Sequence, residues 1–196
     1  MFLKKKKYIW LICSIPFWIV VIQAFMLTPF VKKFWSQSIS ITGYSAAVLL
    51  ALSLSFSPLH KHFPKSQFFA ILNRHKREVG LSAFYYAAIH AIGYFVKDFI
   101  KHGTIDWHFL LHPVLIPGEI ALIILLLLAI TSYDYWIRRM SWHRWKTLHR
   151  SVYIAEAAVF LHMGLQFGVV SIWGCLIFIP LLVCQRLRLN KNSNSV

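Results

Sequence analysis

Trp145-Lys146-Thr147-Leu148-His149-Arg150-Ser151-Val152-Tyr153, with the apolar run that follows as far as Leu161-His162, decides how this chain is read. One histidine opens a hydrophobic segment and a second lies deep inside it, where a titratable imidazole is costly unless something uses it. His90 repeats the pattern within the apolar run 81–96. Two such histidines on different helices are what axial ligation of a b-type haem needs, so electron transfer is the leading expectation.

Working outward, the composition fixes the class. Of 196 residues 58% are hydrophobic and 14% charged, with a mean hydropathy of +0.60, which excludes an ordinary soluble domain and marks an all-α integral membrane protein. The formal charge of +15 comes from 21 basic against six acidic residues. These cations cluster at the ends of apolar runs, so they read as topology determinants and not as a nucleic-acid footprint. Cys13, Cys175 and Cys184 fall within apolar stretches, an odd number that gives no disulfide framework. Lys4 to Lys7 precede an apolar run without a small-residue cleavage site, so that run is read as an uncleaved first span.

Crossing about 30 Å of hydrocarbon takes roughly 20 apolar residues. Six stretches qualify, at about 8–27, 39–56, 79–96, 115–131, 152–167 and 169–183, giving a six-helix transmembrane bundle. The last two, joined only by a turn at 166–168, are expected to be antiparallel neighbours. Seventeen basic residues fall on the side holding both termini, and only Lys32, Lys33, Lys97 and Lys101 fall on the other, so both termini are expected in the cytoplasm. Residues 1–38 read as the first helix and outer loop, 39–168 as the core, and 169–196 as the last helix and a cytoplasmic tail.

Depth follows from that topology. At ~1.5 Å per residue His90 lies about 16 Å beyond Val79 and His162 about 18 Å beyond Arg150. The two imidazoles are therefore expected at one level in the outer half, as ligands of one haem, while His149 lies ~20 Å below His162 at the inner boundary, placed for a second haem or for electron entry. On an ideal helix His149 and His162 do not share a face, so the helix must bend between them or His149 addresses another neighbour, near position 76, where His75 is the close histidine.

Other polar groups have two readings. A lone membrane histidine can serve as a hydrogen-bonding or proton-relay group; His60, His62, His102, His108, His112 and His143 are assigned to loops or interfaces. Arg150, Arg77 and Arg74 fix topology, and could also pair with haem propionates or a flavin phosphate. Glu119 and Glu156 are functional or structural acids, and the tryptophans form an interfacial belt.

Taken together, certain motifs resemble the ferric reductase-like transmembrane domain family, specifically the haem-binding membrane subunits of bacterial periplasmic protein-methionine-sulfoxide reductase systems. They are Thr42-Gly43, Ser57-Pro58-Leu59, Arg77-x-x-Gly80-Leu81-x-Ala83-Phe84 leading to His90, Pro113, Gly118, Thr131-Ser132, Arg138-Arg139 and Trp145-x-x-Leu148-His149-Arg150-x-Val152-Tyr153 leading to His162. The resemblance implies a b-type cytochrome with one haem b or two, His90, His149 and His162 as iron ligands, and FMN as an associated cofactor. It further implies a bacterial inner-membrane location, a quinone pool or cytosolic flavin reductase as electron donor, and a periplasmic molybdopterin-containing reductase as acceptor. His112-Pro113-Val114 departs from the family's Arg-Pro-Tyr. The chain carries no glycine fingerprint for a nicotinamide cofactor, so it reads as an electron-transfer subunit and not a complete enzyme. The alternatives are a haem-containing ferric reductase using His102, His108 and His112, and a non-redox scaffold or proton conductor.

Overall fold

A computed structural model describes residues 6–26, 32–104 and 111–167. Among these the chain is entirely helical: α1 (Lys6–Cys13), α2 (Ile15–Met26), α3 (Lys32–His62), α4 (Gln67–Arg74), α5 (Lys76–His102), α6 (Ile116–Thr131), α7 (Asp134–Arg139), α8 (Trp142–His149) and α9 (Val152–Phe167). Of the described helices, α3 and α5 are long and apolar enough to cross a membrane, and α1 with α2 forms a bent third candidate. α6 and α9 have 16 residues each, about 24 Å. The expected sixth span, with Cys175 and Cys184, lies outside the described residues.

Small side chains set the packing. Leu50, Ala83, Leu125 and Ala155, one each from α3, α5, α6 and α9, form a buried central layer, in which both alanines are 0% exposed. Without bulk at those points the helix backbones approach closely, which is how helices associate where lipid removes most of the hydrophobic drive. The layer also fixes two antiparallel registers. Moving away from it, Gly43 of α3 comes opposite His90 of α5, and Gly118 of α6 opposite His162 of α9.

The first span differs from the uninterrupted helix expected. Pro16 lacks the N–H that would continue the ladder, and α1 and α2 meet at Ser14 with a 41° bend. Tyr86 of α5 covers the break: its hydroxyl donates to the Cys13 carbonyl at 2.6 Å and accepts from the Phe17 N–H at 3.0 Å. Backbone groups unmatched within the membrane cost several kcal/mol each, so a broken helix there needs such a partner.

Other boundaries shift as well. α3 runs through Pro58 to His62, which places His60 and His62 on a helix and not in a loop. α5 extends to His102 and is capped by Gly103 in the left-handed conformation, so the outer loop begins later than the expected Lys97. Replacing Tyr86 by Phe is expected to lower stability by about 1–3 kcal/mol, because two buried backbone groups lose their partner. Thermal unfolding in detergent measures this; an unchanged midpoint would mean that the break is satisfied without the phenol.

Candidate haem site

Gly43, His90, Gly118 and His162 stand seven positions, two helical turns, from Leu50, Ala83, Leu125 and Ala155 respectively. All four thus lie at one level, about 10 Å from the central layer. His90 Nδ1 is 2.8 Å from the carbonyl oxygen of Ile39, and His162 Nδ1 is 2.7 Å from that of Val114. A carbonyl only accepts, so each Nδ1 carries the hydrogen and each Nε2 keeps a lone pair. A second-atom hydrogen bond of this kind is what orients a metal-bound imidazole.

The same arrangement occurs twice. The accepting carbonyl sits four residues before a glycine: Ile39 before Gly43, and Val114 before Gly118. A Cβ added at Gly43 would stand 2.8 Å from His90 Nδ1, and one at Gly118 would stand 3.0 Å from His162 Nδ1. Each glycine therefore provides the slot into which the imidazole packs.

The two rings face each other with centroids 6.4 Å apart and planes inclined at 82°. Metal–imidazole bonds are about 2.0 Å, and adding ~1.1 Å from nitrogen to ring centre on each side gives roughly 6.3 Å between two imidazoles on one iron. The observed separation suits one iron between them. The chemistry suits it too: two imidazole nitrogen donors, each oriented by a backbone carbonyl, in a half-buried setting.

His149 lies apart from this pair. The continuous helix considered from sequence is broken, since α8 ends at His149 and α9 begins at Val152, so the 13-residue spacing to His162 does not rotate along one helix. Its ring stacks on Trp145 at 4.0 Å, and Trp145 stacks on Trp142 at 5.2 Å. His149 Nε2 is 3.3 Å from Thr131 Oγ1, and Trp145 Nε1 donates to the Thr131 carbonyl at 3.0 Å. Burial, then the ammonium of Lys76, pull the His149 pKa down to about 4, so the ring is neutral at physiological pH. The α5 residue acting on His149 is therefore Lys76, whereas His75 is buried beside Glu78.

Arg77 and Arg150 lie toward the His149 end of the bundle. Arg77 is paired with Asp134 at 2.8 Å, and Arg150 is exposed at the turn after α8; neither lies at the level of the histidine pair. His102 pairs with Asp98 at 2.9 Å and the Val114 N–H points to His112 Nδ1 at 3.4 Å, while His108 lies outside the described residues. No group of three metal-ligating side chains occurs among the described residues. Sequence reasoning missed the role of Gly43 and Gly118; the available signal was a glycine at matching depth on each helix opposite a histidine.

Comparison with known proteins gives a consistent picture. The sequence profile of the ferric reductase-like transmembrane component family matches residues 39–161. The haem-binding subunit MsrQ of protein-methionine-sulfoxide reductase from Rhizobium meliloti is 34% identical over 132 residues, 67% of this chain and 58% of that protein. Its counterpart from Agrobacterium fabrum is 36% identical over 126 residues, 64% of this chain and 56% of that protein. Magnetosome protein MamZ of Magnetospirillum gryphiswaldense is 31% identical over 121 residues, 61% of this chain and 18% of that protein. The chain thus spans a little over half of these two MsrQ proteins and under a fifth of MamZ.

Gly43→Ala and Gly118→Ala are each expected to lower the haem-to-protein ratio, since about 1–3 kcal/mol of overpacking falls on the imidazoles. Gly43→Ala, with the closer contact, should be the more severe. Gly164→Ala, where an added Cβ meets nothing within 4 Å among the described residues, is the control and should keep wild-type haem content by pyridine haemochrome assay.

Proposed function

We propose, from the premise that the chain belongs to the ferric reductase-like transmembrane component family, that it is a membrane b-type cytochrome subunit serving a methionine sulfoxide reductase. It takes electrons from the quinone pool or a cytosolic flavin reductase and delivers them across the bacterial inner membrane to a periplasmic catalytic subunit. The support for this acceptor is the likeness to MsrQ haem-binding subunits. A six-helix arrangement with both termini in the cytoplasm fits the distribution of basic residues. Molybdopterin belongs in this reading to the partner, and FMN to an inner-side donor or to the basic inner face.

The observation that carries the reading is the facing pair His90 and His162, 6.4 Å apart. Bound there, haem supplies a one-electron iron couple. The protein's part is to hold the two imidazoles 6.4 Å apart, to occupy both Nδ1 hydrogens with the carbonyls of Ile39 and Val114 so that Nε2 is left for the metal, and to surround the site with apolar helix. Such control of ligand orientation and burial is how a protein tunes a haem potential. His149 is the group by which a second, inner haem would be held, or beside which electrons enter through the Trp142–Trp145 stack.

The test is the reduced-minus-oxidised spectrum of purified protein and of His90→Ala, His162→Ala and His149→Ala. Loss of the low-spin b-type signal in the first two is expected. His149→Ala should leave that outer signal intact, and a partial loss of total haem there would count a second centre. Wild type without a Soret band despite adequate haem supply would sink the cytochrome reading.

A further inference from the structure

Between the ends of α3 and α5 lies a helix whose stability the bundle explains only in part. α4 has eight residues, none of them buried, and no side chain caps its N-terminus at Ser66. A helix of that length is marginal in water, so its apolar side needs a cover. Phe68, Phe69, Ile71 and Leu72 share that side, while Gln67, Asn73 and Arg74 lie off it. Leu72 packs against the cluster of Ile9, Cys13, Phe56 and Val79. One turn earlier Phe68 is 55% exposed, and in the preceding loop Phe63, stacked on Phe69 at 5.3 Å, is 47% exposed.

Depth says what lies beside those rings. The apolar run 39–56 ends at Phe56, and His62, the last residue of α3, stands six positions beyond it, about 9 Å. From there the chain turns back, and the Ser57 hydroxyl donates to Asn73 Oδ1 at 2.9 Å, so α4 returns to the edge of that run. The interfacial layer of a bilayer is roughly 5–8 Å thick on each side. Phe63 and α4 therefore lie at the depth of lipid headgroups.

Charge selects the lipid. From Ser57 to Arg77 the sequence holds Lys61, Lys65, Arg74, Lys76 and Arg77 and no acidic residue. Arg77 is taken by Asp134 and Lys76 reaches Ser57, whereas Lys65 and Arg74, at either end of α4, are exposed. Topology accounts for such cations but not for the aromatic stripe between them. An acidic soluble protein would meet the cations and leave the rings, which sit below the water edge, uncovered.

We propose that α4 and the turn before it form a docking site for anionic phospholipid, in which Phe63 and Phe68 enter the acyl boundary and Lys65 and Arg74 hold headgroup phosphates. Amphipathic helices with aromatic and cationic sides bind interfaces in this way, and each cation beside an anionic leaflet is worth about fivefold in affinity. α4 leads through His75 into α5, so the same lipid braces the start of the helix that carries His90.

The holoprotein is placed in nanodiscs of pure phosphatidylcholine and in discs containing phosphatidylglycerol as well, and amide exchange of the peptide spanning residues 63–75 is followed by mass spectrometry. Exchange is expected to be about fivefold slower or more in the anionic discs, with the difference shrinking at high salt. The double variant Lys65→Gln, Arg74→Gln should abolish the difference, and Phe68→Ser should speed exchange in both discs, with haem content unchanged. Equal exchange of the wild type in the two discs would overturn the proposal, as would a difference that survives in the charge variant. Protection by inorganic phosphate in pure phosphatidylcholine discs, equal to that given by the anionic lipid, would mean a free-anion site and overturn it too. Should a variant lose haem, crosslinking of the wild type with a photoactivatable phosphatidylglycerol decides: label on the 63–75 peptide supports the site, and label only elsewhere removes it.

Discussion

An imidazole N–H in hydrocarbon has to give its hydrogen to something, and here the only plentiful acceptors are the carbonyls of neighbouring helices. His90 and His162 use those of Ile39 and Val114. Reaching them brings each ring against a helix surface, which is possible because Gly43 and Gly118 leave that surface bare. Closeness of the helices is in turn set by Ala83 and Ala155 in the central layer. One requirement, that a buried donor be matched, thus connects the choice of small residues at the core with the tautomer of the ligands. Rotating either helix by one residue would turn the imidazole away from its carbonyl and the lone pair away from its counterpart.

The two ends of the bundle divide the work. At the level of the histidine pair the hydrogen-bond partners of the rings are backbone carbonyls, and among the described residues no carboxylate, lysine or arginine is within hydrogen-bonding distance of either ring. The opposite end gathers charge: Lys6 with Glu78, Arg77 with Asp134, and Lys76 near His149. Such a separation suits a module that exchanges protons and polar partners on one side and moves only electrons through its middle, since an ion is expensive in the apolar interior and an electron on a delocalised ring is far less so.

Much of this was legible from residue order. Apolar runs located α3, α5, α6 and α9, and counting residues from their expected cytoplasmic ends brought His90 and His162 to one depth, where the structure has their rings 6.4 Å apart. What sequence could not supply depends on partners elsewhere in the chain. The kink at Ser14 is tolerable because Tyr86, 72 positions away, covers it. Passage of α3 through Pro58 and the division between α8 and α9 are likewise decided by packing. A histidine partner for His149 was sought near position 76, but the residue that acts on its ring there is Lys76, through its charge, while His75 lies 3.7 Å from Glu78. Periodicity gives a helix its face only where the helix is continuous.

The equal spacing on the four helices makes the bundle a ruler. Seven positions on the other side of the central layer, α3 and α5 offer Ser57 and Lys76, whose side chains meet at 3.4 Å, and six positions from it Thr131 at the end of α6 meets His149 at the end of α8 at 3.3 Å. Along α3 and α5, the two helices continuous through both levels, this one stands about 21 Å from the haem level. A centre placed at that rung would therefore ask for a change of side chains and not of scaffold.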